Sequence, residues 1–200
     1  MADSATMEKK PAYLGLLNAI SLAESAAGQY LEAWANVTPD EDLACTLRLV
    51  AARERSHGDV FCRRLSELGY GLKQKRDPRA YEQLAKYANP NISDLEKIGP
   101  ERDGGEVRDA FREIRQKMAD GEYDAMTCNL LGWYIAEEED SGRRLREAYA
   151  CVRDKASGRA RMSNGNGAHA SADAEAIMAC MTEGFLRLER SLEKMAKAKR

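Results

Sequence analysis

Histidine is nearly absent from this chain: two in 200 residues, His57 and His169. So few leave no Ser-His-Asp arrangement to argue for. Aromatic residues are only 6%, and runs of Val, Ile, Thr and Tyr are scarce, which points away from all-β folds. No apolar stretch approaches the roughly 18 residues that a membrane helix needs. Residues 1–10 are polar, with no apolar segment of the kind a secretory leader requires. The five cysteines, Cys45, Cys62, Cys128, Cys151 and Cys180, are odd in number and scattered, and no two form a C-x-x-C pair. A reduced, cytoplasmic setting without a disulfide framework is the expectation, and no cysteine is assigned a redox role. There is no excess of basic charge: Lys plus Arg is 31 against Asp plus Glu at 33, a net charge of −2. A protein that neutralises phosphates needs such an excess, so nucleic acid is not an expected partner, and neither is a membrane. Gly104-Gly105 lacks the strand, lysine and Ser/Thr context of a phosphate loop.

What is present is helical periodicity. Hydrophobic residues make up 44% and charged residues 32%, too apolar for a disordered chain. The length suits a single domain, 1–200, that buries roughly 70% of its unfolded surface. Apolar spacing predicts long helices at about 12–36, 40–68, 122–155 and 172–198. Thr38 or Asp40 can cap the second, and Gly69-Tyr70-Gly71 can stop it. Between the second and third lies an irregular stretch, 72–121, with short helices expected near 78–88, 92–98 and 106–118, the last closed by Asp120-Gly121. The Ser/Asn/Gly run at 157–171 reads as a loop. Four long helices with one long crossing connection predict an all-α four-helix bundle with a crossover.

The informative residues are those that interrupt the apolar stripes. In the first helix the stripe is Leu17, Ile20, Glu24, Ala27, Leu31, Trp34. In the second it is Leu43, Leu47, Val50, Glu54, His57, Phe61, Leu65, Leu68, and in the third Leu131, Tyr134, Glu138, Ser141, Leu145, Ala148, Val152. Glu24, Glu54 and Glu138 each stand near the middle of a stripe meant for a core. Burying a lone carboxylate is costly, and three would repel one another, so a cation is the simplest resolution. Glu54 and His57, at i and i+3, share one helix face, so a carboxylate oxygen and a ring nitrogen can reach one ion. The plainer alternatives are a salt-bridge network using Arg48, Arg53 and Arg55, a buried neutral histidine, and a solvated acidic patch at Glu137-Glu138-Glu139-Asp140. Four acids in a row point around the whole helix, so at least one should face inward. Tyr30 and Tyr134, near Glu24 and Glu138, read as packing residues.

Residues 12–71 resemble the first half of a ferritin-like protein. The match is carried by Ala23-Glu24, by Ala51-Ala52-Arg53-Glu54-Arg55-Ser56-His57 and by Leu68-Gly69-Tyr70. The segment is similar to rubrerythrin-like proteins and to the ferritin-like group related to tRNA hydroxylases. The resemblance implies metal ligands at Glu24, Glu54 and His57. Such proteins are internally duplicated, and Glu24-x-x-x-Gly28 lies over Glu138-x-x-x-Gly142, which makes Glu138 the counterpart of Glu24, with Glu137 and Glu139 as adjacent rivals. The fourth helix has no histidine. One placement gives Cys180-x-x-Glu183, another gives Met178-x-x-Met181, and Glu175 is a third candidate; Glu183 is carried as a fifth metal ligand.

The implied cofactor is iron, one or two ions, or manganese. The implied function is a di-iron or iron/manganese oxidoreductase acting with dioxygen or peroxide and a reductant or substrate of unspecified identity, and the implied assembly is a homodimer. No four-cysteine rubredoxin-type site is visible, so a rubrerythrin carrying its own electron-transfer domain is not expected. The alternative is a ferritin-like scaffold with a degenerate or mononuclear metal site that serves binding or assembly.

Overall fold

Two aspartates set the starts of two long helices. Asp40, in extended conformation, accepts hydrogen bonds from the amides of Asp42 and Leu43 and opens α2 (Glu41–Glu67). Asp124 does the same for Met126 and Thr127 and opens α6 (Ala125–Ala156). The computed structural model describes residues 10–74, 78–99 and 111–158. Among these there are six helices and no strand: α1 (Leu14–Ala35), α2, α3 (Pro78–Ala88), α4 (Asp94–Ile98), α5 (Arg112–Ala119) and α6. The protein is therefore all-α over the described residues, and none of their helices is long and apolar enough to cross a membrane. The fourth long helix expected at 172–198 lies outside the described residues. So does the loop expected at 157–171, apart from Ser157 and Gly158.

The ends of the elements follow local chemistry. α2 stops where Gly69 takes a φ of 81°, and the Gly69 and Tyr70 amides turn back onto the carbonyls of Ser66 and Leu65. α5 stops the same way at Gly121, with a φ of 71°. Of the two capping candidates before α2, Asp40 is the cap, while Thr38 donates to Asp94 at 2.6 Å and ties α4 to the α1–α2 turn.

α1 and α2 form a tight antiparallel hairpin. Ser21 Oγ donates to the Gly58 carbonyl at 2.8 Å, and a Cβ placed on Gly58 would sit 2.4 Å from Ser25 Oγ and 3.1 Å from the Ser25 amide nitrogen. Glycine is what permits this approach. α6 lies across both. It runs antiparallel to α2, because Arg64 reaches Asp124, Arg53 reaches Asp140, and Lys155 reaches Asp40. It runs parallel to α1, because Tyr13 meets Asp124 at one end and Tyr134 meets Glu24 in the middle.

The direction of α6 revises the expected connection. A single crossover joins parallel helices, whereas here the segment from 68 to 124 leaves and re-enters at the same end of the hairpin. It makes an excursion instead. Tyr87 of α3 stacks on Tyr30 and Trp34 at the far end, and Ile98 of α4 joins that same cluster. α5 then returns, with Phe111 and Ile114 against the cluster at the near end. The cause is apolar coverage: α3 and α4 cover the far cluster and α5 covers the near one.

The two clusters are separated along the helices. The near one holds Leu17, Ile20, Phe61, Leu65, Leu131 and Tyr134, and the far one holds Leu31, Trp34, Leu47, Val50, Leu145 and Tyr149. Burial of each such side chain contributes about 1.5–3 kcal/mol. The layer between them, formed by Ser21 and Glu24 on α1, Glu54 and His57 on α2 and Glu138 and Ser141 on α6, is polar and also buried.

Candidate metal centre

The polar layer exists because each stripe places one acid where its neighbours place leucines. Glu24, Glu54 and Glu138 are 0%, 1% and 1% exposed, and His57 is 0% exposed. One ligand atom from each of the four lies within 4.8 Å of all the others. His57 Nδ1 is 3.1 Å from Glu138 Oε1 and 3.9 Å from Glu54 Oε2. Ligand atoms bound at about 2.0–2.2 Å to one ion stand about 3 Å apart when adjacent and about 4.3 Å apart when opposite, so these separations suit a common ion.

The hydrogen bonding gives a second, independent test of fit. Each of the four residues carries one buried polar atom outside any well-formed hydrogen bond: Glu24 Oε2, Glu54 Oε2, and the pair His57 Nδ1 and Glu138 Oε1, which face each other at 3.1 Å. Orphaned buried lone pairs are rare, and four in one layer, on the residue types that ligate metals, are what a cation would satisfy. Three carboxylates and one imidazole form a mixed hard and borderline donor set. Such a set can hold a divalent or trivalent transition ion, and the imidazole makes it a less natural fit for calcium or magnesium.

The remaining contacts of these residues orient them. The Tyr134 hydroxyl donates to Glu24 Oε1 at 2.8 Å. His57 Nε2 lies 2.9 Å from Glu137 Oε2. The His57 ring is held edge-on by Trp133 and Tyr134, with centroids at 4.9 Å and 5.1 Å. Burial, and then the charges of Glu54 and Glu138, raise Glu24 well above the ordinary carboxylate range. Burial is also the main reason Glu54 is pushed up to about 8, with the Glu138 charge adding to it. Burial pulls His57 down, but the carboxylates of Glu138, Glu24 and Glu137 outweigh it and leave the imidazole above its ordinary value. Without a cation, Glu24, Glu54 and His57 therefore hold their protons to higher pH than they would in water.

The salt-bridge alternative is not what forms. Arg53 pairs with Asp140, Arg55 with Glu32, and Arg48 donates to the Ala35 carbonyl. The acidic run on α6 divides by direction, as the helical period requires. Glu138 points inward, Glu137 meets His57, Glu139 pairs with Arg115, and Asp140 pairs with Arg53, Arg143 and Arg144.

Four of the five expected ligands are thus brought together. Glu183 lies outside the described residues, as do Glu175, Cys180, Met178, Met181 and His169. Among the described residues the four cysteines are free, with Cys45 and Cys151 exposed. Tyr30 is a packing residue, stacked on Tyr87 with centroids at 5.1 Å. Tyr134, also read as packing, has the further contact with Glu24. The sequence argument missed Glu137 as a partner of His57 and Trp133 as the wall beside it. Trp133 and Glu137 are four residues apart and share the α6 face beside the one that carries Glu138, so the helical period was the available signal. No protein-family model, curated protein or solved structure matches this chain.

Proposed function

We propose that this is a ferritin-like metal-carboxylate protein that holds iron or manganese at Glu24, Glu54, His57 and Glu138 and works as an oxidoreductase with dioxygen or peroxide. One observation carries the reading: buried, unpartnered donor atoms from three helices converge within ligand distance. A bound iron or manganese ion would supply a one-electron couple and an open position for a small oxidant. The protein's own part is to hold the ligands rigid, to keep water out through the two apolar clusters, and to orient Glu24 through Tyr134. The ferritin-like assignment is supported by the α1–α2 hairpin, where the Glu and Glu-x-x-His residues sit at facing levels. The antiparallel course of α6 against α2 departs from a simple crossover bundle and weighs against it.

The four described donors surround a single centre, which favours one ion per chain over two. Metal analysis of protein purified without added metal, and again after anaerobic reconstitution with Fe²⁺ or Mn²⁺, tests the reading. About one equivalent of Fe or Mn is expected, and only traces in both samples would refute it. Oxygen or peroxide consumption by the reconstituted protein then separates an oxidoreductase from a scaffold that merely retains metal.

A further inference from the structure

The opening of α6 is uncharged: residues 125–136 contain neither an acidic nor a basic side chain. Trp133 stands on the outer side of that run and is 36% exposed. Single exposed apolar residues are ordinary on a protein surface. This one is set apart by what lies beneath it, because the indole meets the His57 ring edge-on, with centroids at 4.9 Å. Tyr134, which holds the same ring from another side, is 1% exposed. On the Trp133 side, then, one side chain separates the buried polar layer from water. We propose that Trp133 is the gate of the metal centre: by swinging outward it admits a molecule no wider than its own ring, which sets the oxidant class as dioxygen or hydrogen peroxide. The proposal rests on the metal-binding reading of the cluster and adds a specificity-determining residue outside the ligand set.

Three features support it. The indole has room to leave. Its neighbours on the outer side of α6, Asn129, Gly132 and Ala136, are small and exposed, and a Cβ added to Gly132 would meet only the end of Met118 at 3.8 Å. The motion is simple. A helical side chain has two good χ1 wells, so rotation about one bond moves the ring while the backbone stays still. The other walls are fixed. Tyr134 is anchored by its hydroxyl on Glu24 and by ring contacts with Phe61 and Phe111. Glu137 is held 2.9 Å from His57 Nε2. Arg53, whose side chain is 22% exposed beside Ser141, is tied to Asp140 at 2.8 Å and to Ser141 Oγ at 3.2 Å. Trp133 is the wall that can yield without breaking a polar contact described for these residues.

The test begins with the metal-free full chain. Diethyl pyrocarbonate acylates an imidazole that it can reach, and peptide mass spectrometry separates His57 from His169, the other histidine of the chain. A gate that is open only as a minor state slows the reaction in proportion, so His57 should react about 10-fold or more faster in Trp133→Ala than in the parent. Trp133→Phe, which keeps a ring in place, should fall between them. Val152→Ala, in the far cluster, lowers stability away from the gate and should leave the His57 rate as in the parent. Equal rates in the parent and Trp133→Ala, or a Val152→Ala rate as high as that of Trp133→Ala, overturn the gate. With Zn²⁺ as probe, Trp133→Ala should speed uptake and chelator-driven release by the same factor and leave the affinity unchanged. A lower affinity at unchanged rates would make Trp133 a packing support and also overturn it. Failure of the parent to take up Zn²⁺ or Fe²⁺ counts against the metal reading alone, and the acylation rates still decide the gate. After reconstitution with Fe²⁺, Trp133→Ala should gain on tert-butyl hydroperoxide relative to hydrogen peroxide, and an unchanged ratio overturns the size limit.

Discussion

The Tyr134 hydroxyl donates to Glu24 Oε1 at 2.8 Å, and the second oxygen of the same carboxylate has no partner. One bond fixes the carboxylate plane and leaves the other oxygen for a ligand. Tyr134→Phe removes the bond and keeps the ring, which also packs on Phe61 and Phe111 at 5.3 Å and 5.8 Å. The variant is expected to fold, with about 1–2 kcal/mol lost in stability, and to bind Fe²⁺ or Co²⁺ about 10-fold or more weakly. Metal titration beside thermal melts checks both. Unchanged affinity would make Tyr134 a packing residue after all.

The protonated state of the cluster sets a pH dependence for metal-free protein. Burial first, then neighbouring charge, places Glu54 at about 8 against 4.5 in an unfolded chain, and Glu24 moves the same way. Between those values the folded state holds protons that the unfolded state does not, so stability is full at the acid end and is lost as pH rises through about 8. His57, also raised, acts in the same direction. Asp140, held down by Arg144, Arg53 and Arg143, contributes oppositely and only in more acid solution. Chelator-treated protein should therefore be less stable at about pH 9 than at about pH 6, by roughly 2–4 kcal/mol in urea melts. Metal affinity should rise over that interval, because the ligands must shed protons to bind. Metal-free protein that gains stability toward pH 9 would contradict the clustering of these acids.

The candidate ligands were legible because a polar residue on an apolar stripe is a strong signal, and three glutamates and a histidine fell on three stripes. The long helices and the Asp40 cap were legible for the same local reasons. The direction of α6 was not. Periodicity reports which face of a helix is buried and says nothing of which end comes first. That depends on long-range pairs such as Arg64 with Asp124 and Lys155 with Asp40. Glu137 was hidden for a related reason: its importance comes from a histidine 80 positions away, and in the sequence it is one acid among four.

The same acids should cost stability when no cation is present. Glu24→Gln or Glu54→Gln replaces a carboxyl group whose ionisation burial disfavours by a neutral amide of nearly the same volume. In metal-free protein at about pH 8 each is expected to leave the melting temperature unchanged or raise it. In the parent, Fe²⁺ or Mn²⁺ at 100 times its dissociation constant adds about 2.7 kcal/mol, and each variant should lose most of that gain. A large destabilisation of the metal-free variants would mean that the carboxylates are structural, as in a scaffold whose site has lost its ion.

The cluster also depends on how closely α1 and α2 approach. Gly58 follows His57 directly, and an added Cβ there would meet the Ser25 side chain, the Ser25 amide nitrogen at 3.1 Å and the Ser21 carbonyl at 3.2 Å. Ser25 Oγ can rotate away, but the backbone atoms of α1 cannot. Gly58→Ala must therefore move the two helices apart, and it should cost about 1–3 kcal/mol, more than its helix propensity returns. Because Glu24 is on α1 and His57 on α2, the separation should also weaken metal binding. Gly132→Ala, on α6, is the control: its Cβ would meet only the end of Met118 at 3.8 Å, so neither stability nor metal affinity should fall. Equal effects from the two substitutions would remove the link between hairpin contact and ligand spacing.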